Sequence, residues 1–239
     1  MQRRLEPELM LDEAQVRAYA EADFSDANQR FVQLASPQLD AVGAGRARPC
    51  AVDLGCGHGD ILMHLCRRHP DWELLGVDAS APMLAWAPRH FSTKSAVWGL
   101  AEDEAAAMWQ RLQWRQLRLP APQLASSAFS AVLSNSLLHH LPSPEVFWEE
   151  LYRLARRPAA IVVMDLLRPD SVAEAEQLVA SVAASSSPIL QSDFLASLLA
   201  SFTLEELREQ LARSPLGAAW SERVVQVSER HWALCGVLR

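Results

Sequence analysis

AVDLGCGHGD, residues 51–60, is the stretch whose reading decides the fold. A short apolar run ends in an acid, Asp53. Three alternating glycines follow, Gly55, Gly57 and Gly59, and Ile61, Leu62 and Leu65 then open an apolar helical pattern. Strand, glycine turn and helix in that order form the phosphate- or nucleoside-binding corner of a doubly wound sheet. Glycine suits the turn because it is tight and a ligand can reach the backbone with no Cβ in the way. A turn without a ligand is the plainer alternative, but three glycines beside a strand-end acid are costly for a turn alone.

The spacing narrows the ligand. A dinucleotide fingerprint, G-x-G-x-x-G, needs glycine at position 60, where this chain has Asp60. A carboxylate there repels a pyrophosphate, although it suits the helix dipole. The pattern D-x-G-x-G-x-G resembles motif I of the class I (Rossmann-like) S-adenosylmethionine-dependent methyltransferases. A second resemblance lies at SNSLLHHLPSP, residues 134–144. It is similar to the segment after strand four in the small-molecule members of that family. Together the likeness covers roughly residues 50–165, and the flanks match in layout only.

Alternating strand and helix patterns independently imply an α/β sandwich. The expected architecture is a doubly wound, mostly parallel seven-stranded sheet with helices on both faces and an antiparallel C-terminal strand. Two helices at 11–22 and 27–39 come first. Strands are expected at 50–54, 73–77, 114–119, 129–133, 159–165, 218–227 and 232–238. Helices are expected at 60–68, from 81 until Pro88 interrupts, at 102–112, 145–155, 171–184, 192–201 and 203–213. Residues 1–45 then form a helical cap. Residues 46–239 form the main domain, with a helical insertion at about 171–213. Ser185-Ser186-Ser187-Pro188 is the nearest thing to a linker.

Half of the 239 residues are hydrophobic, enough for a substantial core. No apolar run approaches a membrane span, and MQRRLEPELM lacks the apolar stretch of a signal peptide. Cys50, Cys56, Cys66 and Cys235 show no C-x-x-C spacing and read as reduced cytoplasmic thiols. Cys56 reads as a small residue that fits its turn. The net charge of −7 argues against nonspecific nucleic-acid binding.

The resemblance implies S-adenosyl-L-methionine as cofactor and S-adenosyl-L-homocysteine as product. Asp53 and the backbone of Gly55, Cys56 and Gly57 would hold the amino-acid end. Asp78, closing LLGVDAS, would accept the ribose hydroxyls, with Ala79 and Met83 beside it. An Asp78 that only caps the next helix is the plainer reading, and it could do both. The family's acid after strand three is missing from WRQLRLPAP, so Gln116 or the backbone would take the adenine. Asn135 and Ser136 would touch the cofactor, and His139 or His140 would border the acceptor.

Either histidine is a candidate general base, since its ordinary pKa lies near neutrality. Packing or capping is the bland alternative, and methyl transfer often needs no base because positioning supplies much of the rate. No third ligand is visible for a His–His metal pair. Tyr19, Phe24 and Asn28 are lid candidates. Asp165 and Arg168 are expected near the pocket mouth, Ser192-Asp193-Phe194 toward the substrate, and Arg230-His231-Trp232 at a hairpin turn. The reading is methyl transfer to a small-molecule acceptor. Its rivals are a non-catalytic S-adenosylmethionine- or S-adenosylhomocysteine-binding protein and, less favoured, an NAD-dependent oxidoreductase.

Overall fold

The computed structural model describes residues 1–6, 10–184 and 186–239. Ser185 of the expected linker lies outside the described residues, as do residues 7–9. The strands are β1 (Cys50–Leu54), β2 (Glu73–Asp78), β3 (Leu112–Gln116), β4 (Phe129–Asn135), β5 (Ala155–Leu166), β6 (Val224–Ser228) and β7 (His231–Leu238). They form one sheet in the order β3-β2-β1-β4-β5-β7-β6. The first five run parallel, and β7 lies antiparallel between β5 and β6.

The helices are α1 (Glu13–Ala20), α2 (Ser25–Gly43), α3 (Asp60–Arg68), α4 (Ala81–Val97), α5 (Glu102–Trp109), α6 (Pro144–Leu154), α7 (Val172–Val182), α8 (Pro188–Ala200), α9 (Leu204–Arg213) and α10 (Ala218–Ser221). Side chains alternate across each strand, so the sheet buries two faces. Val52, Leu54, Val132, Ile161, Val163 and Trp232 pack with α6 and α9 on one side. Ala51, Ala131, Leu133, Val162 and Met164 pack with α2, α3 and α4 on the other. Phe31, Ala35 and Leu39 bring α2 into that second core. A smaller cluster of Leu166, Ala175, Leu198 and Leu199 joins α7 and α8 to the end of β5.

Five local expectations change. Pro88 does not end its helix, for α4 runs through it to Val97. Proline removes one backbone bond, but buried Met83, Ala87 and Phe91 keep this face on the core. The third strand starts at Leu112, because pairing with β2 sets Leu74 beside Leu112 and Asp78 beside Gln116. Helix α6 hands over to β5 at Ala155, and a shift in register between Phe129 and Ala131 takes up residues 156–159. Residues 218–221 form a helical turn whose Trp220 fills the core, so β6 begins only at Val224. Pro188 occupies the first turn of α8 behind a Ser187 cap, which starts that helix earlier than its apolar pattern suggests.

Candidate active site

In an open α/β sheet a crevice forms where the strand order reverses, outside the carboxyl ends of the strands. Here that point lies between β1 and β4. The glycine turn leaves β1 there. Its Gly55 and Cys56 amides donate to the Val77 carbonyl at 2.8 and 3.1 Å. The Gly57 amide donates to Asp78 Oδ2 and the Ser80 amide to Asp78 Oδ1, both at 2.8 Å. Asp78 thus ties the turn to the start of α4, whose cap is the Ser80 hydroxyl accepting from the Met83 amide. Burial raises the Asp78 pKa above the usual carboxylate range. With amides of Gly57, Ala79 and Ser80 on it, the carboxylate still keeps room to accept from a ligand.

The glycines answer first to their neighbours. Gly55 has φ +75°, and a Cβ there would lie 2.9 Å from Leu137 Cβ. Gly59 has φ +84°, and a Cβ there would fall inside the Trp114 indole. Cys56 packs its sulfur against Gly76, and burial raises its thiol pKa well above the ordinary value. That agrees with a fitted small residue rather than a nucleophile.

Two acceptors are left over at the crevice. Asp53 is buried at the end of β1, and its Oδ1 has no hydrogen-bond partner. Burial, with the Asp78 charge second, pushes its pKa up to about 7. Asn135 ends the neighbouring strand β4, and its Oδ1 is equally unpartnered. Ser134 stitches the two strands by donating to the Leu54 carbonyl at 2.8 Å. Ser136 takes φ +56°, a costly setting for a residue with a Cβ, while its amide donates to the Met164 carbonyl. Unpartnered buried acceptors are expensive, and a ligand that carries an ammonium and hydroxyls supplies the missing donors. Asp53, Asn135 and Asp78 therefore fit the amino-acid and ribose ends of S-adenosylmethionine. Gln116 sits at the exposed edge, where its Nε2 donates to the Ala79 carbonyl at 3.3 Å.

One centre escapes sequence reading. Asp60 opens α3, and its carboxylate receives Asn28 Nδ2 at 2.7 Å, His90 Nε2 at 2.7 Å and Lys94 Nζ at 2.8 Å. Burial alone would raise its pKa, but the hydrogen bonds from His90 and Lys94 outweigh that and hold it below the usual range. The lid candidates gather around this centre. Tyr19 stacks on Phe24 at 4.6 Å between ring centroids, and His58 meets His90 edge-on at 4.2 Å. Burial pushes the Tyr19 phenol up to about 12 and the His58 imidazole down to about 4. The available signal was the four-residue spacing of His90 and Lys94, which sets both on one face of α4.

Across the crevice, Leu138–His140 form a single 3₁₀ turn. His139 Nδ1 lies 2.5 Å from Asp165 Oδ1, and its amide donates to Asp165 Oδ2 at 3.2 Å. Burial pulls the Asp165 pKa up, but the His139 contact wins and lowers it. His139 Nε2 is buried without a partner. The His140 ring lies 4.0 Å from that of His139, with Nδ1 3.5 Å from Glu6 Oε2. Burial, with His139 second, pushes His140 down to about 3. Spacing offers no third ligand beside this pair, yet the fold brings one. Glu6, His139 and His140 each place a ligand atom within 4.8 Å of the others.

The N-terminal segment holds this side together. Arg3 donates to the carbonyls of His139 and Leu141 at 2.8 and 2.9 Å, and its guanidinium lies 4.0 Å over the Phe202 ring. Ser197 Oγ donates to Glu6 Oε2 at 2.8 Å. Arg168 turns instead to Glu206 on α9, at 2.7 Å. Asp193 accepts from Gln15 Nε2 at 3.1 Å, which joins α8 to α1. Glu229 and Arg230 form the expected hairpin turn, with Trp232 wholly buried behind it. A separate cavity of about 710 Å³, lined by Asp40, Arg46, His69 and Arg111, opens at the opposite ends of the strands.

Residues 52–163 match the protein family described as "Methyltransferase domain". The uncharacterized methyltransferase Mb0092 of Mycobacterium bovis is 26% identical over 120 residues, covering 50% of this chain and 52% of that protein. The demethylmenaquinone methyltransferase of Roseiflexus sp. is 28% identical over 119 residues, covering 50% and 43%. The matched region thus spans about half the length of these curated relatives. Among solved structures, the plantazolicin methyltransferase BpumL, in complex with a pentazolic desmethylPZN analog and SAH, superposes with a TM-score of 0.63. It is 15% identical, with 95% of this chain and 90% of that chain covered. Residues 52–163 are thus similar to a methyltransferase domain, and the chain shares the class I, Rossmann-like fold of solved methyltransferases.

Proposed function

We propose that this chain transfers a methyl group from S-adenosylmethionine to a small-molecule acceptor. The observation that carries the reading is the pair of unpartnered buried acceptors, Asp53 Oδ1 and Asn135 Oδ1, beside a glycine turn anchored on Asp78. When bound, S-adenosylmethionine supplies a methyl group on a positively charged sulfur, an electrophile that needs no further activation. Asp53 and Asn135 would receive its ammonium, and Asp78 its ribose hydroxyls. The backbone of Gly55, Cys56 and Gly57, with Ser136, would border the amino-acid end. Ala79, Met83 and Gln116 would border the adenine. Residues 1–45 act as a cap over this crevice, and the helices at 171–213 close its acceptor side.

His139 and His140 position the acceptor in this reading. Asp165 holds His139 by its Nδ1, which fixes the ring and leaves its Nε2 lone pair for one further partner. The net charge of −7 favours a small acceptor over nucleic acid. No helix among the described residues is long and apolar enough to cross a membrane. Four free cysteines favour a reducing, cytoplasmic setting.

Calorimetry tests the cofactor assignment. S-adenosylhomocysteine should bind in the micromolar range and NAD should not; the reverse would end the proposal. Transfer of radioactive methyl from S-adenosylmethionine into a small-molecule extract tests catalysis. Tight S-adenosylhomocysteine binding without transfer to any extract would favour a sensor instead.

A further inference from the structure

We propose that Glu6, His139 and His140 form a binding site for one divalent transition-metal ion of the zinc type. Each residue offers one donor atom, and the three atoms lie within 4.8 Å of one another. Ligands on a zinc ion sit about 2.0–2.2 Å from it, so tetrahedral neighbours lie about 3.3–3.6 Å apart. Glu6 Oε2 and His140 Nδ1 are already 3.5 Å apart. That separation is longer than a strong Glu–His hydrogen bond and matches the distance between two ligands of one ion.

The surroundings are those of a metal ligand set. His139 Nδ1 is held by Asp165 at 2.5 Å, and its Nε2 is buried and unpartnered. A carboxylate behind an imidazole whose other nitrogen is left free is the usual support of a metal-bound histidine. His140 Nδ1 is likewise buried with no hydrogen bond. The Glu6 carboxylate is steadied by the Ser197 hydroxyl. The Arg3 guanidinium grips the carbonyls of His139 and Leu141, which fixes the turn carrying both rings.

Charge and donor type point the same way. Glu6 and Asp165 are both buried carboxylates, and Asp165 already holds His139. Two imidazoles and a carboxylate suit zinc and its neighbours rather than magnesium or calcium, which prefer oxygen. Three protein ligands leave a fourth position open to water or to an acceptor oxygen. The other histidine group, His58, His64 and His90 around Asp60, differs in one respect. Lys94 Nζ sits 2.8 Å from Asp60 and already supplies the cation.

The test is metal binding by the full chain, which is independent of the methyl-transfer reading. Protein stripped with a chelator is titrated with zinc by calorimetry, and with cobalt by visible absorption. One equivalent should bind, with a cobalt spectrum free of thiolate charge transfer, and zinc should raise the melting temperature. Glu6→Gln and His140→Gln should weaken zinc by at least about tenfold, and Asp165→Asn by about 10–100-fold with the stoichiometry kept. His58→Gln should bind like wild type. No binding by folded wild-type protein, a thiolate band, or unchanged affinity in folded Glu6→Gln would each overturn the site. Glu6 lies on the N-terminal segment, so that variant remains informative if Asp165→Asn fails to fold.

Discussion

The two walls of the crevice are built by different means. On the glycine side, the turn between β1 and α3 is held mainly by backbone amides. Gly55, Cys56 and Gly57 donate to Val77 and Asp78, all within about twenty residues along the chain. On the histidine side, side chains from far along the chain do the holding. Arg3, Glu6, Asp165 and Ser197 converge on a three-residue turn. The first wall is set by conformation and needs glycine. The second is set by charged side chains and needs partners distant in sequence. They should therefore fail differently.

The sharpest break is expected at Gly59. Valine there meets the Trp114 ring and must hold φ +84°. Overpacking and backbone strain together cost about 2–6 kcal/mol. Denaturant unfolding should show that loss, and Trp114→Ala should recover part of it. No recovery would mean that strain alone, not collision, demands the glycine. On the other wall, Asp165→Asn leaves His139 without its carboxylate. A buried pair broken on one side costs about 3–5 kcal/mol, and asparagine should reduce that because it still accepts the Leu166 amide. If this variant matches wild type in stability, the wall does not depend on charge.

Acid titration sharpens the contrast within the glycine wall itself. Asp53 rises from 3.8 unfolded to about 7 folded, so its contribution is full below pH 4 and lost as pH climbs through 7. His58 falls from 6.5 to about 4, so its contribution is full above pH 6.5 and lost as pH drops toward 4. Between pH 4 and 6.5 the two oppose each other. Asp53→Asn should steepen the loss of stability in acid, and His58→Gln should flatten it. Melting curves across that window check both, and slopes equal to wild type would remove either group from the account. The smallest effect is expected for Arg3→Ala. Its guanidinium is half-buried and its hydrogen bonds go to neutral carbonyls, so a loss of about 1–2 kcal/mol is expected in thermal melts. Hydrogen exchange at His139 and Leu141 should rise with it.

The same division explains what could be read in advance. The glycine corner, the acid at Asp78 and the mostly parallel seven-stranded sheet were legible because they rest on local backbone rules that repeat in any doubly wound sheet. The Asp60 centre was not, because its partners come from α2 and α4 and only helix packing brings Asn28, His90 and Lys94 together. Asp60 was read as a discouragement to pyrophosphate, while its larger work is to fasten three helices. Glu6 was invisible as a partner for His140 because the two lie at opposite ends of the sequence order of the site. Pro88 misled for a related reason, since a local breaker was weighed without the core that α4 presses against.

The position of β7 has a consequence for how the molecule is made. It lies between β5 and β6, so its pairing with both comes only after residue 231. During synthesis from the N-terminus, β5 emerges with one rail of amides and carbonyls bare beside an apolar face of Ile161 and Val163. Such an edge invites pairing with another nascent chain. Free chains truncated after Ser228 should thus be more protease-sensitive and more aggregation-prone than chains that include β7. Closure of the sheet thus waits on residues 231–238.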